Sequence, residues 1–437
     1  MFNNRRFDLS SRVVHFFREV DLSGDSSVDF PEHWGFGNIA EDTTFSPLFL
    51  LRCAIRHGRL FATWARRKNQ RTIYGPYPAV CFTDMPTAAF IEAAASRSKR
   101  GEKMSTYALT FQKTDAFARG ARPVIYGLSG AARMEADTGP ARILKPTVLP
   151  YREQYRYVTY RPTKNRWNVD WTHEREWRWR MSDDMAVARF EREIELDGIV
   201  SEVADIPSLR IYSEGFKEIG VIVKTAAESL CVIHDILMLY DRRRIAKDTF
   251  KYVLVSERIP SVKAIRDPND EAKAIANAAI ELEPLLAIRD ESLVLKIKEI
   301  CQRVTRKHEG EPLNGDPGTC WVWIRNPIHR AARALMNDGH IQVTKGGKYL
   351  LAVPEIPAGL ALERKQAIIV EISKEIADAV GVDCGYYSVM GQNPDSVPFY
   401  CDIMNAVDNR LLFNHATGGV APTTESSSPV PPTGGQE

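Results

Sequence analysis

The sequence has no closely spaced cysteine pair. Its seven cysteines, Cys53, Cys81, Cys231, Cys301, Cys320, Cys384 and Cys401, are scattered and odd in number, which argues against both a disulfide framework and a zinc site. No uninterrupted apolar run approaches the length that spans a bilayer. The opening Met-Phe-Asn-Asn-Arg-Arg-Phe-Asp carries no apolar core of the signal-peptide kind, so a cytoplasmic setting is expected. The net charge is only +2, and no global field argues for nucleic acid or an anionic membrane as partner. Basic patches must be local, as at Arg56 to Arg71 and Arg175 to Arg180. No glycine-rich loop opens a helix after a strand, which leaves a Rossmann or Walker-type phosphate site unsupported, and there is no internal repeat.

What remains is the composition of a soluble globular protein, 44% hydrophobic and 26% charged over 437 residues, long enough for two domains and a tail. The pattern predicts an α+β fold. Arg12 to Arg18 reads as a first strand with His15 opposite Val14 and Phe16. Residues 21–47 carry loop chemistry. Apolar positions at Leu48, Leu51, Ala54 and Ile55 predict a helix from Pro47 to His57 ended by Gly58. Ala79 to Thr83 is a buried strand stopped by Asp84-Met85-Pro86. A helix of about Thr87 to Lys99 follows, with Thr87 as its N-cap. Strands are expected at Tyr107–Phe111 and Pro123–Gly127, and 128–165 is read as irregular. Ile219–Val223, a helix from Ala226 to Tyr240, and Tyr252–Val255 form a strand–helix–strand unit.

The expected domains are 1–265 and 266–416, parted at Arg266-Asp267-Pro268-Asn269-Asp270, with 417–437 a disordered tail rich in Pro, Ser, Thr and Gly. The second domain reads as a long helix from Glu271 to Lys307 broken at Pro284, a strand at Cys320–Ile324, a hairpin over His340–Val353, and an amphipathic helix from Leu362 to Val380.

One charged stretch stands out, Trp171-Thr172-His173-Glu174-Arg175-Glu176-Trp177-Arg178-Trp179-Arg180. As an extended strand it would put Glu174, Glu176, Arg178 and Arg180 on one face, with His173, Trp177 and Trp179 on the other. The two indoles would hold the strand on a core. The plain alternative is a solvated face of ion pairs, each worth little.

Four pieces together carry a resemblance: the His15 strand, Cys81-Phe82-Thr83-Asp84-Met85-Pro86, Gly120-Ala121-Arg122-Pro123-Val124-Ile125-Tyr126, and Glu174-Arg175-Glu176-Trp177-Arg178. Over roughly the first 260 residues they resemble the AbiGi-type abortive phage-infection proteins, which look like distant ADP-ribosyltransferases near the DarT-like branch. The remainder resembles an uncharacterised domain joined to such halves.

The resemblance implies NAD as co-substrate, with His15 on the adenosine-side ribose, Thr83 at the middle element, Glu176 as the principal catalytic carboxylate and Glu174 as its helper. Phe17 departs from the pattern, standing where a small hydroxyl residue often follows the histidine. Arg52 and Arg56, one turn apart, would reach the pyrophosphate, a solvated helix face being the alternative. Phe16, Tyr107 or Tyr126 would sandwich the nicotinamide, with core packing as the alternative.

A fixed carboxylate beside the ribose would stabilise the oxocarbenium-like charge that builds as the nicotinamide leaves. The expected activity is an antiphage or toxin ADP-ribosyltransferase acting on nucleic acid or protein. The alternatives are NAD hydrolysis, a non-catalytic antitoxin or sensor that answers a phage trigger or a cognate defence partner, and, last, a Mg²⁺ nuclease built on Asp84, Glu174 and Glu176.

Overall fold

A computed structural model describes residues 9–21, 44–67, 70–128, 142–161, 170–182, 206–265, 268–310, 315, 317–396 and 400–401. The expected tail at 417–437 and most of the expected loop at 21–47 lie outside the described residues. The chain is α+β, as its pattern predicts.

The N-terminal body is built on an eight-stranded sheet. Its strands are β1 (Arg12–Phe16), β2 (Val80–Thr83), β3 (Ala108–Gln112), β4 (Arg122–Pro123), β5 (Glu176–Trp179), β6 (Ile219–Val223), β7 (Phe250–Val255) and β8 (Ala279–Glu281). They lie in the order β8-β7-β6-β3-β1-β2-β5-β4. Neighbours are antiparallel except β6 and β7, which run parallel. That pair needs a crossover, supplied by the expected helix, here Ala226–Asp241.

Helices cover both faces, which is why Val13 and Val14, adjacent on β1, are both fully buried. One face packs Val13, Leu109, Phe111 and Val221 against α1 (Pro47–His57) and α3 (Ala226–Asp241). The other packs Val14, Ala108, Ile222 and Leu254 against α2 (Thr87–Lys99) and α4 (Pro268–Ala278). Each fully buried Leu, Ile or Phe in these layers contributes about 1.5–3 kcal/mol. Gly220 is required on β6, because a Cβ there would lie inside the Tyr252 ring and against Thr110.

Local chemistry starts α1 and α3 as the sequence suggests. Ser46 caps α1 by accepting from the Phe49 amide, and Gly58 ends it in the left-handed conformation at φ +66°. Thr225 and Glu228 close a capping box on α3. At α2 the expectation is corrected: Pro86 holds the cap position with no side-chain bond, and Thr87 is already helical.

The domain boundary also moves. Strand β8 lies beyond the expected break yet pairs with β7, Tyr252 opposite Glu281, so the N-terminal body continues through Glu281. The expected long helix is three helices, α4, a short one at Glu283–Ala287 that Pro284 helps start, and α5 (Glu291–Lys307). Proline lacks the amide an interior turn needs, whereas at a helix start that amide has no partner to lose.

The C-terminal body contains β9 (Thr319–Ile324), α6 (Arg330–Asn337), β10 (Ile341–Val343), β11 (Tyr349–Leu351), α7 (Leu362–Val380), β12 (Cys384–Val389) and β13 (Tyr400–Cys401). Its sheet runs β10-β11-β9-β12-β13, the split β-α-β order. Helices α5, α6 and α7 pack on one face over Cys320, Val322 and Ile324. Trp321, Trp323, Leu350 and Tyr387 cluster on the other.

The two bodies meet along α3. Arg333 donates from both Nη atoms to Asp241, at 2.6 and 3.0 Å, the Tyr349 hydroxyl adds a third bond at 2.7 Å, and His234 Nε2 lies 2.9 Å from the Gly347 carbonyl.

Candidate active site at the start of strand β5

Strand β5 sits between β2 and β4, with Glu176 opposite Thr83 and Trp177 opposite both Phe82 and Pro123. Trp177 and Trp179 face the α1/α3 core, and the Trp179 indole donates to the Arg119 carbonyl at 2.8 Å. Their anchoring role is the one expected. Glu176 and Arg178 then point to the opposite, α2 side.

Glu174 does not share that strand. Thr172–Glu174 is a 3-10 turn, and Arg175 is left-handed at φ +48°, ψ +47°. A non-glycine residue there costs roughly 1–2 kcal/mol. Asp84 offsets the cost, since its Oδ1 accepts from Arg175 Nε at 2.6 Å and its amide donates to the Arg175 carbonyl at 3.1 Å. The expected single charged strand face is therefore corrected to a turn carrying Glu174 followed by a strand carrying Glu176.

The turn still delivers the two carboxylates to one neighbourhood. Glu176 accepts from Arg178 Nε at 2.8 Å and Nη2 at 3.0 Å, the bidentate geometry that fixes a carboxylate. Arg178 is buried and donates its other Nη to the Tyr155 carbonyl at 2.6 Å. Burial opposes its charge, but Glu176 more than restores it, and its pKa is raised. Glu174 pairs with Arg97 at the end of α2, at 2.5 Å. Both carboxylate side chains stay 21% exposed.

Tyr126 stands beside them, its hydroxyl oxygen accepting from the Glu176 amide at 3.1 Å. Burial raises the Tyr126 phenol, against the pull of that bond. Cys81 lies on the same face, and burial together with Glu176 pushes its thiol up.

The other expected site residues are placed differently. Thr83 is close, but its hydroxyl donates to the Glu174 carbonyl at 2.7 Å and accepts from the Met85 amide at 3.2 Å, so it closes the turn. His15 neighbours Val14, and Val14 pairs with Thr83. His15 therefore faces the other side of the sheet from Glu176. There its Nδ1 lies 2.8 Å from the Cys81 carbonyl, its ring meets Phe17 and Phe82 edge-on, and the adjoining cavity is about 10 Å³, room for roughly one water. Burial lowers its pKa to about 4.

Arg52 is fully buried and grips Asp235 through Nε at 2.6 Å and Nη2 at 3.1 Å, and Arg56 joins it on Oδ1 at 2.7 Å. This corrects both the pyrophosphate role and the solvated-face alternative. The Tyr107 hydroxyl donates to Glu228 at 2.7 Å on α3, away from the carboxylates.

Sequence reasoning missed Arg97 and the part played by Asp84. Arg97 sat in the basic last turn of an expected helix, which was the only signal available. Burial would raise the Asp84 carboxyl, but Lys113 and Arg175 hold it below the ordinary range. Among the described residues no group of three or more His, Cys, Asp or Glu is assembled to hold a metal, so Asp84, Glu174 and Glu176 do not converge as the nuclease alternative requires.

Over residues 295–415 the chain matches a family described as "Protein of unknown function (DUF4427)". The described residues of that stretch belong to the C-terminal body, and it does not include the candidate site. No curated protein and no solved structure matches the chain. No helix of the described residues is long and apolar enough to cross a membrane.

Proposed function

We propose that the N-terminal body is an NAD-dependent ADP-ribosyltransferase of the AbiGi and DarT-like kind, a cytoplasmic antiphage or toxin effector modifying nucleic acid or protein. The observation that carries the reading is the part-exposed Glu174 and Glu176 beside Tyr126, with Glu176 oriented by a buried guanidinium. Glu176 stabilises positive charge on the ribose as the nicotinamide bond breaks, an electrostatic role in which one lost contact costs roughly 3–4 kcal/mol. Glu174 holds a ribose hydroxyl or orients the acceptor, and the half-buried Tyr126 ring offers a flat wall for nicotinamide. His15, Arg52 and Tyr107 take no part in this grouping.

A second reading, a non-catalytic sensor or antitoxin that answers a phage trigger or a cognate defence partner, is favoured by one fact. The residues expected to hold the pyrophosphate and the adenosine-side ribose are committed internally, Arg52 to Asp235 and His15 to the Cys81 carbonyl beside a cavity of about 10 Å³. Incubating the full chain with NAD labelled on the adenylate separates the readings. Label retained on a macromolecule, and lost in Glu176→Gln, supports transfer. Free ADP-ribose points to hydrolysis at the same site. Intact NAD with no growth effect in bacteria leaves the non-catalytic reading.

A further inference from the structure

We infer a second ligand site, unrelated to the carboxylate pair, in the groove between the Ser256–Ala264 segment and α4, and assign it to a nucleoside monophosphate. The groove is open to solvent along one side and offers about 540 Å³, a volume within the range of small-molecule sites, roughly 300–1,000 Å³.

Both walls are fixed from behind by α2. Glu271 of α4 accepts from the Ala88 amide at 3.0 Å. Glu92 of α2 accepts from the Ser261 hydroxyl at 2.9 Å and the Val262 amide at 2.7 Å. The opening is thus held without a ligand, which lowers the ordering cost of binding.

The lining chemistry selects the ligand. Arg258 and Lys273 both face the groove, and neither has an ion-pair partner among the described residues. A guanidinium fork beside an ammonium suits a phosphate group. Asp270 also lines the groove and already holds a contact of its own; a carboxylate has several lone pairs, so it would repel a bare polyanion yet still accept from a sugar hydroxyl, as acidic residues do in dinucleotide sites. Ile265 and Ala274 supply an apolar surface for a base, and Asn277 an amide for its edge. Phosphate, hydroxyls and a flat ring occur together in a nucleoside monophosphate.

The test is calorimetric titration of AMP, and separately of inorganic phosphate, into the full chain. AMP should bind, more tightly than phosphate. Arg258→Gln with Lys273→Gln should weaken it at least about tenfold, or about 1.4 kcal/mol. Both side chains are exposed, so the double variant should keep the wild-type melting temperature. Ala274→Glu, which leaves the cations in place, should abolish AMP binding by bringing a second carboxylate to the phosphate. No AMP binding at millimolar concentration, or equal affinity in the double variant, overturns the assignment. NAD turnover is not the readout, so the outcome is independent of the proposed transferase activity.

Discussion

Two carboxylate–guanidinium clusters sit on opposite sides of the eight-stranded sheet. On the α1/α3 side Asp235 is fully buried between Arg52 and Arg56. On the α2 side Glu176 and Glu174 meet Arg178 and Arg97 but keep a fifth of their side-chain surface exposed. The residue types are the same and the uses differ. Burial would raise the Asp235 carboxyl, yet two guanidiniums hold it below the ordinary range, and its oxygens are consumed in joining α1 to α3. The Glu176 carboxylate is oriented by one buried arginine and still open to a ligand. A charged pair enclosed on all sides belongs to the architecture, while one enclosed on one side can do chemistry.

The largest effect should come from breaking the enclosed cluster. Asp235→Asn leaves two buried guanidiniums undercompensated and should cost about 3–5 kcal/mol in denaturant unfolding. A loss under about 1 kcal/mol would mean that the cluster is hydrated and the comparison misdrawn.

Glu176→Gln tests the open cluster. If the transferase reading holds, NAD turnover should fall roughly 100- to 1,000-fold, while the melting temperature changes far less than in Asp235→Asn. Equal turnover in the variant would move the chemistry away from β5.

Acid should act on the enclosed side as well. Burial lowers both His15 and His234 from 6.5 to about 4. Between those values the unfolded chain binds more protons, so stability is full above pH 6.5 and declines as pH falls toward about 4. The depressed Asp235 acts in the same direction at lower pH, its contribution being lost as the carboxylate protonates. Unfolding curves across this range should show the decline, and His234→Phe should make it shallower while the share due to His15 remains. A flat wild-type profile would refute the burial of these rings.

The smallest effect is expected at Arg97→Ala, which removes part-exposed pairs with Glu174 and Glu102, each worth about 0–1 kcal/mol. It frees Glu174 at almost no cost in stability, so any change in turnover reports on Glu174 itself.

Much of this framework was legible from local pattern. The β1 and β2 strands, α1 with its glycine stop, the crossover unit around α3, and the anchoring of β5 by Trp177 and Trp179 follow from periodicity and end signals, because apolar spacing and capping act over a few residues. Strand β8 escaped because Ala279-Ile280-Glu281 has no strand pattern of its own and pairs only because β7 presents an edge. The turn before β5 escaped for a similar reason. Nothing in Thr172-His173-Glu174-Arg175 demands a left-handed arginine, which Asp84 stabilises from 91 residues away.

The sequence by itself determined the α+β class, most element positions, and the presence of two carboxylates next to paired tryptophans. Only the tertiary structure decided what the charged residues do. Arg52 meets Asp235 across 183 residues, and no spacing rule reaches that far. The pleat sends His15 and Glu176 to opposite faces, since Val14 rather than His15 shares a row with Thr83. A charge is structural or available according to how completely its neighbours exclude water, and that enclosure is set by contacts distant in the chain.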